Sequence, residues 1–379
     1  MAPAVRGGMV GCAAVTAPRV LLATPDFPPM PGGIQLLLSQ LVRHAGWSTT
    51  VLCFADPHRE TDDRGVPAEV VRIPRARDHR QSILRLTAAT AREIRSRAPD
   101  LALSGHLVLA PAVVAATRHP RRPTAQFVYA KELSTRPRVT REMLARIDAT
   151  IAISDYSREL AIAAGAPPER VHLVLPGGGI HASAPVETRP REPTVVTVAR
   201  LEDRYKGFDV VMRAMPLVRA RVRDARWVIV GDGRLRPQLQ ATAERWGLDG
   251  YVSFLGAVDD EKRDEVLRRG SVFVMPSRVP AGRGEGEGFG IVYLEAGAAG
   301  LPVVAADEGG ATSAVLDGVT GLLCDPRDHV AVADRIVRLL TDPELARRLG
   351  EAGRARQREL SWERMAREVD AIVRTLIAR

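Results

Sequence analysis

Residues 271–305 read SVFVMPSRVPAGRGEGEGFGIVYLEAGAAGLPVVA, and this stretch carries the alternation that decides the fold. The apolar run 271–275 predicts a buried strand, the periodicity of 290–299 predicts a helix, and 302–305 predicts a second buried strand. Continuous apolar strands separated by helices are typical of parallel sheets covered on both faces. The stretch therefore predicts a strand–loop–helix–strand unit of an α/β domain.

The same alternation runs through the rest of the chain. Further strands are predicted at 19–24, 49–54, 68–73, 100–104, 124–129, 149–153, 171–175, 194–198, 226–230, 251–254 and 320–324. Helices are predicted at 33–44, 80–98, 155–164, 208–222, 234–246 and 328–341. The polar, Pro-rich segment 184–193 separates the two series. The chain is therefore predicted to form two Rossmann-like parallel-sheet domains that face a cleft.

Length and composition exclude several classes of protein. A chain of 379 residues with 45% apolar content suits two folded domains rather than a disordered chain. Cys12, Cys53 and Cys324 are odd in number and far apart, which favours a reducing cytosol. No apolar run approaches the ~20 residues of a membrane span. A soluble, cytoplasmic protein is expected, with residues 1–17 a loose extension and Met9 an alternative start.

The positive charge lies in the first half of the chain. Residues 1–185 contain 23 Lys and Arg against 15 Asp and Glu, whereas 186–379 contain 31 against 30. The excess concentrates at Arg72, Arg75, Arg77, Arg80, Arg85, Arg92, Arg95 and Arg97. This region is either a solvated helix face or a docking surface for an anionic membrane. Nucleic-acid binding is disfavoured because no aromatic residues interleave the basic run.

The sequence lacks the motifs of several common enzyme classes. No glycines fit G-x-G-x-x-G, and none of the three lysines, Lys131, Lys206 and Lys262, follows a glycine as in a Walker A loop. No serine lies in G-x-S-x-G, and no histidines have zinc-ligand spacing. The sequence therefore disfavours a simple NAD enzyme, a P-loop ATPase, a serine hydrolase and a zinc protease.

The loops that follow the predicted strands are the places to look for ligands, because doubly wound sheets bind beyond the carboxyl ends of their strands. After the first strand, Gly32 and Gly33 open a helix, where backbone N–H groups bind anions; a plain tight turn is the alternative. After strand 194–198, Arg200 and Lys206 either converge on a diphosphate or form an exposed basic loop.

A pair of glutamates marks the glycine-rich loop. Glu287 and Glu295 are eight residues apart, but Glu351 and Glu359 share that spacing on a charged helix, so spacing alone decides nothing. Context separates the pairs. Glu287 lies at a glycine-rich helix entrance, and Glu295 follows two turns later on roughly the same face. Such carboxylates can accept hydrogen bonds from sugar or ribose hydroxyls.

Taken together, these motifs resemble the GT4 retaining glycosyltransferases, which have the GT-B fold. The matching pieces occur in the family's order: DFPPMPGGIQ (26–35), VARLEDRYKGFDV (198–210), VIVGDGRL (228–235), VSFLGAV (252–258), EGFGIVYLEAGAAGLPVVA (287–305), GVTGLL (318–323) and LSWERMA (360–366). The loop 275–290 looks most like the mannosyltransferases that act on phosphatidylinositol mannosides and related actinobacterial enzymes.

The resemblance implies a domain layout and a role for each matching residue. Residues 1–187 would form the acceptor-side domain, 188–360 the nucleotide-sugar domain, and 361–379 a helix that crosses back from Ser361 to the first domain. The implied catalytic residues are Arg200, Lys206, Glu287 and His106. The implied donor-binding residues are Gly33, Val258, Gly288, Phe289, Gly290, Ile291 and Glu295. The implied acceptor-side residues are Asp26 and Glu132.

In this resemblance, Arg200 and Lys206 hold the donor diphosphate, Glu295 the ribose, and Glu287 with the following amides the sugar. Val258 meets the base through its backbone, and His106 approaches the sugar. The implied reaction moves a hexosyl group, with retention, from GDP-mannose or a UDP-hexose to an acceptor hydroxyl. The acceptor would be a lipid-linked inositol mannoside or a small natural product. No metal or cofactor is expected beyond the nucleotide-sugar co-substrate.

The chain departs from the family at two places. Relatives often carry His-Gly-x-Glu where this chain has residues 129–132 (YAKE), and Gly-Gly-x-Pro-Glu where it has 309–313 (GGATS). The first change lies on the acceptor side. The alternative functions on the same architecture are a sugar-nucleotide epimerase and a phosphorylase using pyridoxal phosphate. The protein is also expected to contact the inner face of an anionic membrane peripherally.

Overall fold

The computed structural model describes residues 17–56, 63–180, 192–280 and 286–379. The N-terminal extension with Met9 and Cys12 lies outside these residues, as do Glu285 and most of the Pro-rich segment 184–193.

The first half of the chain forms a parallel sheet covered by helices on both faces. Its strands are β1 (Arg19–Ala23), β2 (Ser48–Phe54), β3 (Glu69–Ile73), β4 (Leu101–Ser104), β5 (Thr124–Val128), β6 (Ala149–Ala152) and β7 (Val171–Leu173). Its helices are α1 (Gly33–His44), α2 (His79–Arg97), α3 (Ala110–Ala116), α4 (Ala130–Leu133), α5 (Pro137–Arg146) and α6 (Asp155–Ala163). The strand order is β3-β2-β1-β4-β5-β6-β7. Every residue of β4, β5 and β6 is buried, which explains why these strands carry no charged residues and are mainly apolar.

The second half repeats this design. Its strands are β8 (Thr194–Val198), β9 (Arg226–Val230), β10 (Val252–Gly256), β11 (Val272–Met275), β12 (Val303–Ala306) and β13 (Gly321–Cys324). Its helices are α7 (Phe208–Arg221), α8 (Arg236–Arg245), α9 (Asp260–Arg269), α10 (Ile291–Ala298), α11 (Ala311–Ala314), α12 (His329–Thr341) and α13 (Pro343–Glu359). The strand order is β10-β9-β8-β11-β12-β13, again all parallel.

The predicted fold class is confirmed: two parallel-sheet, Rossmann-like domains, with every predicted strand present to within two residues at each end. Not all of the helices were predicted from the sequence. Helix α9 reads DEKRDEVLRR and α13 carries charges on most of its surface, so neither shows the apolar periodicity from which helices were predicted.

The last helix, α14 (Trp362–Ile377), returns to the first domain and packs on α1. The Nη2 of Arg374 donates to the Gly46 carbonyl (3.0 Å), and Nε2 of His44 lies 3.8 Å from the Glu363 carboxylate. This contact joins the end of the chain to the first sheet. No helix in the described part of the chain is long and apolar enough to cross a bilayer.

Loops after the strands of one sheet face loops after the strands of the other. A Cβ at Gly33, the first residue of α1, would lie 3.8 Å from Cδ1 of Ile291, the first residue of α10. The two halves also meet where the Asp155 amide donates to Oγ of Ser313 (3.1 Å). The carboxyl ends of both sheets therefore border one cleft, the position at which such folds bind ligands.

Candidate functional site

A basic loop, residues 199–207, follows β8 and borders the cleft. Two backbone hydrogen bonds fix it to the end of β9: the Ala199 amide donates to the Val230 carbonyl (3.0 Å), and the Leu201 amide to the Asp232 carbonyl (2.9 Å). The loop then makes a single 3₁₀ turn, Arg204–Lys206, before α7 begins. The Lys206 side chain is thereby held at the amino end of α7.

Lys206 forms an ion pair with Glu287 across 81 residues of sequence. Both side chains are mostly buried, with exposed fractions of 14% and 13%. Burial lowers the pKa of the Lys206 ammonium, but Glu287 outweighs burial and the nearby Arg200 charge, so the pKa is raised. The ion pair with Glu287 therefore favours the charged form of Lys206. Burial also raises the pKa of the adjacent Tyr205 to about 12.

Arg200 contributes a second positive charge in a different setting. Its residue is exposed, and among the described residues no carboxylate lies within 4.0 Å of its guanidinium. The Arg200 charge is close enough to oppose protonation of Lys206. Two cations that are neighbours, one of them without a protein carboxylate, make a local site of positive potential that suits a diphosphate.

Arg278 holds this basic loop in place, a role that no motif in the sequence indicated. Its guanidinium pairs with both carboxylate oxygens of Asp209 on α7 (2.9 and 3.1 Å) and donates to the Arg204 carbonyl (3.1 Å). Its own amide donates to the Tyr205 carbonyl (2.8 Å). The loop after β11 thus holds the loop after β8 at the spacing that lets Lys206 meet Glu287.

The glycine-rich loop places Glu287 outside the helix that follows. Gly290 caps α10 with φ of 87°, a left-handed conformation that disfavours other residues, and a Cβ there would lie 2.3 Å from the Tyr293 ring. The interpretation that helical spacing aligns Glu287 with Glu295 is therefore wrong, because the helix begins only at Ile291. The two carboxylates instead pair with different cations.

Glu295 is buried on α10 and lies near the first turn of α9. Its Oε1 lies 3.9 Å from Nη1 of Arg263, which also pairs with Asp260 (2.7 Å) and Asp264 (2.8 Å). Val258 lies in the short loop between β10 and α9. Arg263 therefore ties Glu295 to the helix that follows Val258, although α9 reads as a solvated helix from its sequence.

Within the glycine-rich loop, the side chain of Phe289 is buried in the core, whereas Gly288 and Ile291 are partly exposed. The Gly310 amide donates to the Glu287 carbonyl (2.8 Å), which ties the loop to the start of α11. On the facing domain, Gly33 is exposed at the start of α1. Asp26 lies in the same loop, where its carboxylate accepts from Nε2 of Gln35 (3.1 Å).

The first domain places a second pair of predicted residues together. Nδ1 of His106, just after β4, lies 3.0 Å from Oε2 of Glu132, on α4 after β5. The side chain of Glu132 is 6% exposed and that of His106 26%. Burial raises the pKa of Glu132, although the His106 ring and two backbone N–H groups oppose that change.

The segment that contains Glu132 lies directly across from the glycine-rich loop. A Cβ at Gly288 would lie 4.0 Å from the Ala130 amide nitrogen, and Nζ of Lys131 lies 3.6 Å from Oδ1 of Asp203. One face of the cleft therefore carries Lys206 and Glu287, and the other carries His106 and Glu132.

The basic region 72–97 is only partly a free surface. Arg72 pairs with Asp63 (2.7 Å), Arg97 pairs with Glu69 and Glu93, and Arg75 stacks on Phe54 at 4.4 Å. The residues that remain exposed are Arg77, Arg80, Arg85, Arg92 and Arg95. Leu84, 67% exposed, lies among them on α2. Three of the eight arginines in this basic region therefore have partners within the protein, and the exposed ones lie on and just before α2.

Two protein-family profiles match the chain. The profile described as Glycosyltransferase Family 4 matches residues 33–177, and the profile described as Glycosyl transferases group 1 matches residues 182–356.

Two actinobacterial relatives illustrate the similarity. One is a GDP-mannose-dependent alpha-(1-6)-phosphatidylinositol monomannoside mannosyltransferase from Mycobacterium tuberculosis, 34% identical over 89% of this chain and 92% of its own. The other is a GDP-mannose-dependent monoacylated alpha-(1-6)-phosphatidylinositol monomannoside mannosyltransferase from Corynebacterium glutamicum, 30% identical over 94% of this chain and 98% of its own.

Among solved structures, the Anabaena protein HepE in complex with UDP and glucose superposes with a TM-score of 0.79 at 22% identity, covering 94% of this chain and 100% of that one. Sucrose-phosphate synthase from Thermosynechococcus elongatus gives a TM-score of 0.78 at 23% identity, covering 96% of this chain and 99% of that one. These likenesses bear on the fold alone.

Proposed function

The chain belongs to glycosyltransferase family 4, and from this premise we propose that it transfers mannose from GDP-mannose to a hydroxyl of a phosphatidylinositol mannoside, with retention of configuration. The observation that carries the proposal is similarity to GDP-mannose-dependent mannosyltransferases over 89% and 94% of the chain, combined with two neighbouring cations in the loop after β8. The sugar-nucleotide epimerase is not favoured by these relatives.

In the proposed mechanism, the bond between the sugar C1 and the diphosphate oxygen breaks while the acceptor oxygen bonds to C1. The departing diphosphate gains negative charge, and Arg200 and Lys206 stabilise that charge at fixed positions. The acceptor proton passes to a phosphate oxygen on the same face of the sugar. Neither Glu287 nor Glu295 acts as nucleophile: Glu287 and the Gly288 amide contact the sugar, and Glu295 contacts the ribose.

The donor is tested by slow hydrolysis without acceptor, across a panel of GDP-, UDP-, ADP- and dTDP-sugars. We expect GDP-mannose to be turned over and the other donors to be inert. Turnover of a UDP-sugar instead would overturn the mannosyl assignment and favour a small soluble acceptor. Inertness across the panel, with no thermal shift by any nucleotide, would contradict the transferase proposal itself.

Because two cations stabilise the leaving group, we propose that transfer needs no divalent metal. The expected result is an unchanged initial rate of GDP-mannose turnover after dialysis against EDTA, compared with the same enzyme supplemented with Mg²⁺ or Mn²⁺. A rate that falls on chelation and returns with either ion would contradict this expectation.

A lipid acceptor requires the protein to reach a membrane surface, and α2 offers the means. Arg80, Arg85 and Arg92 are exposed on this helix around Leu84, a basic and apolar combination suited to anionic lipid headgroups. We expect the protein to sediment with vesicles that contain phosphatidylinositol, with affinity that falls as salt rises.

Charge reversal tests this contact. Replacing Arg80, Arg85 and Arg92 by Glu removes about 1 kcal/mol of attraction per arginine and adds repulsion, so binding should fall more than about 100-fold. The matched control reverses Arg213, Arg223 and Arg245, which are exposed on the other domain. Equal losses from both triple variants would show that overall charge, rather than α2, governs binding.

A further inference from the structure

We propose that Glu132 is a positioning residue that holds His106 in the Nδ1–H tautomer, so that Nε2 accepts a hydrogen bond from a hydroxyl of the transferred sugar. The inference rests on the proposed function for the identity of that hydroxyl. It gives Glu132, which the resemblance placed on the acceptor side, a role in supporting the histidine.

Two backbone N–H groups donate to the Glu132 carboxylate, which is 6% exposed and has Nδ1 of His106 beside it. Its Oε2 accepts from the Leu107 amide (2.8 Å) and lies 3.0 Å from Nδ1 of His106, while its Oε1 accepts from the Tyr129 amide (3.1 Å). The two backbone donors belong to the turns that follow β4 and β5. One carboxylate therefore links two neighbouring strand ends and the imidazole between them.

The position of the proton follows from these contacts. Both oxygens of Glu132 already accept from backbone amides, an arrangement that favours the ionised carboxylate, because a carboxylic acid would lose acceptor capacity at one of them. Among the described residues, His106 is the only basic side chain within 4.0 Å of Glu132. An ionised carboxylate at 3.0 Å requires a donor, so Nδ1 carries the hydrogen.

One neighbour competes for the same nitrogen. The Val108 amide approaches Nδ1 of His106 at 3.2 Å, as in a helix cap, and would prefer a lone pair there. The carboxylate contact is shorter and charge-assisted, and such bonds are about twice as strong as neutral ones. The Nδ1–H tautomer therefore prevails over the one that water favours.

This arrangement decides what His106 presents to substrate. Nδ1 is enclosed by Glu132 and Val108, and within the described chain no protein group bonds to Nε2, so the exposed quarter of the side chain includes Nε2. The residue follows β4 at the carboxyl end of the sheet, where the cleft lies. In the Nδ1–H tautomer Nε2 has a lone pair and accepts from a hydroxyl; in the opposite tautomer it would donate instead.

The tautomer can be measured without any assay of activity. In ¹⁵N-labelled protein, long-range ¹H–¹⁵N correlation spectra distinguish the two tautomers, and the His106→Gln variant identifies the signals of this residue. We expect Nδ1–H in the unmodified protein and Nε2–H in Glu132→Gln, because the glutamine amide can donate to Nδ1. An Nε2–H tautomer in the unmodified protein would overturn the proposal.

A double-mutant cycle tests whether Glu132 acts through His106. Glu132→Gln should lower kcat for GDP-mannose turnover about 10-fold with little change in KM, as expected for one misdirected hydrogen bond. His106→Ala should lower it at least as far, and the double variant should match His106→Ala. Additive losses would mean an independent role for Glu132 and would contradict the proposal.

The control for a purely structural effect is Asp148→Asn at the opposite end of the sheet. Asp148 also accepts from a backbone amide, that of Thr124 (2.9 Å), and pairs with an arginine, but it is remote from His106. It should lower the unfolding temperature without moving kcat or the His106 signals. If the unmodified protein turns over no donor, the proposed function fails, while the spectra still decide the tautomer.

Discussion

Replacing Lys206 with alanine should lower the rate of glycosyl transfer by about 10²-fold or more, the usual loss when one preorganised stabiliser of a developing oxyanion is removed. The effect should appear in kcat, because the diphosphate gains charge as the sugar leaves. Burial keeps the Lys206 ammonium away from competing water, and Glu287 keeps it protonated. Steady-state kinetics with GDP-mannose measures the change.

The chain supplies a matched control, since it has only three lysines. Lys262 is half exposed on α9 and pairs with Glu265 (2.7 Å), so Lys262→Ala should leave kcat within about twofold, as for surface substitutions generally. A second comparison addresses the carboxylate that Lys206→Ala leaves without its partner. Lys206→Ala/Glu287→Gln removes that stranded charge, and activity should stay low. Near-normal turnover in Lys206→Ala would contradict the role of Lys206 in stabilising the departing diphosphate.

The second large effect is expected from Gly310→Ala. The Gly310 backbone has ordinary helical angles, so alanine meets no backbone strain there. A Cβ, however, would lie 2.1 Å from the Gly288 carbonyl oxygen and 2.6 Å from the Phe289 amide nitrogen. These are backbone atoms, so the glycine-rich loop itself must move. A shift of about 1 Å in a sugar-binding loop can cost roughly 10²-fold in rate.

The measurements are kcat/KM for GDP-mannose and the free energy of unfolding, which should fall by about 1–3 kcal/mol from overpacking. Gly250→Ala is the control, because a Cβ there has no atom within 4 Å and its φ is not positive. Unchanged kinetics in Gly310→Ala would mean that the position of residues 287–289 does not govern donor use.

The central strands of both sheets were predictable because they are buried on both faces. A strand such as β11 (VFVM) shows its burial directly in four consecutive apolar residues, and β5 (TAQFV) does so nearly as clearly. The site residues near strand ends were also within reach, since ligands in such sheets bind where the strands stop. Arg200, Lys206 and His106 all lie in those loops.

The pairs that the charged side chains form could not be predicted from the sequence. Lys206 and Glu287 are 81 residues apart, and Arg278 and Asp209 are 69 apart, so neither contact leaves a local pattern. The one inference that relied on spacing was wrong. The eight-residue interval between Glu287 and Glu295 suggested that both lie on one helix face, but the helix starts after Gly290. Arg263 was overlooked for a related reason, because its helix has the composition of a solvated one.

By itself, the sequence determined the two parallel sheets, their strand boundaries and the loops that hold the chemistry, because burial of each strand and the turn residues after it are local properties. Tertiary structure alone decided which charged groups pair and which stay available to a substrate. That choice depends on how two sheets bring distant loops together: Glu132 beside His106, Glu287 beside Lys206, and Arg72 turned inward to Asp63 rather than toward a membrane. A charge that pairs within the protein is neutralised there, so only the assembled cleft fixes what remains for the ligand.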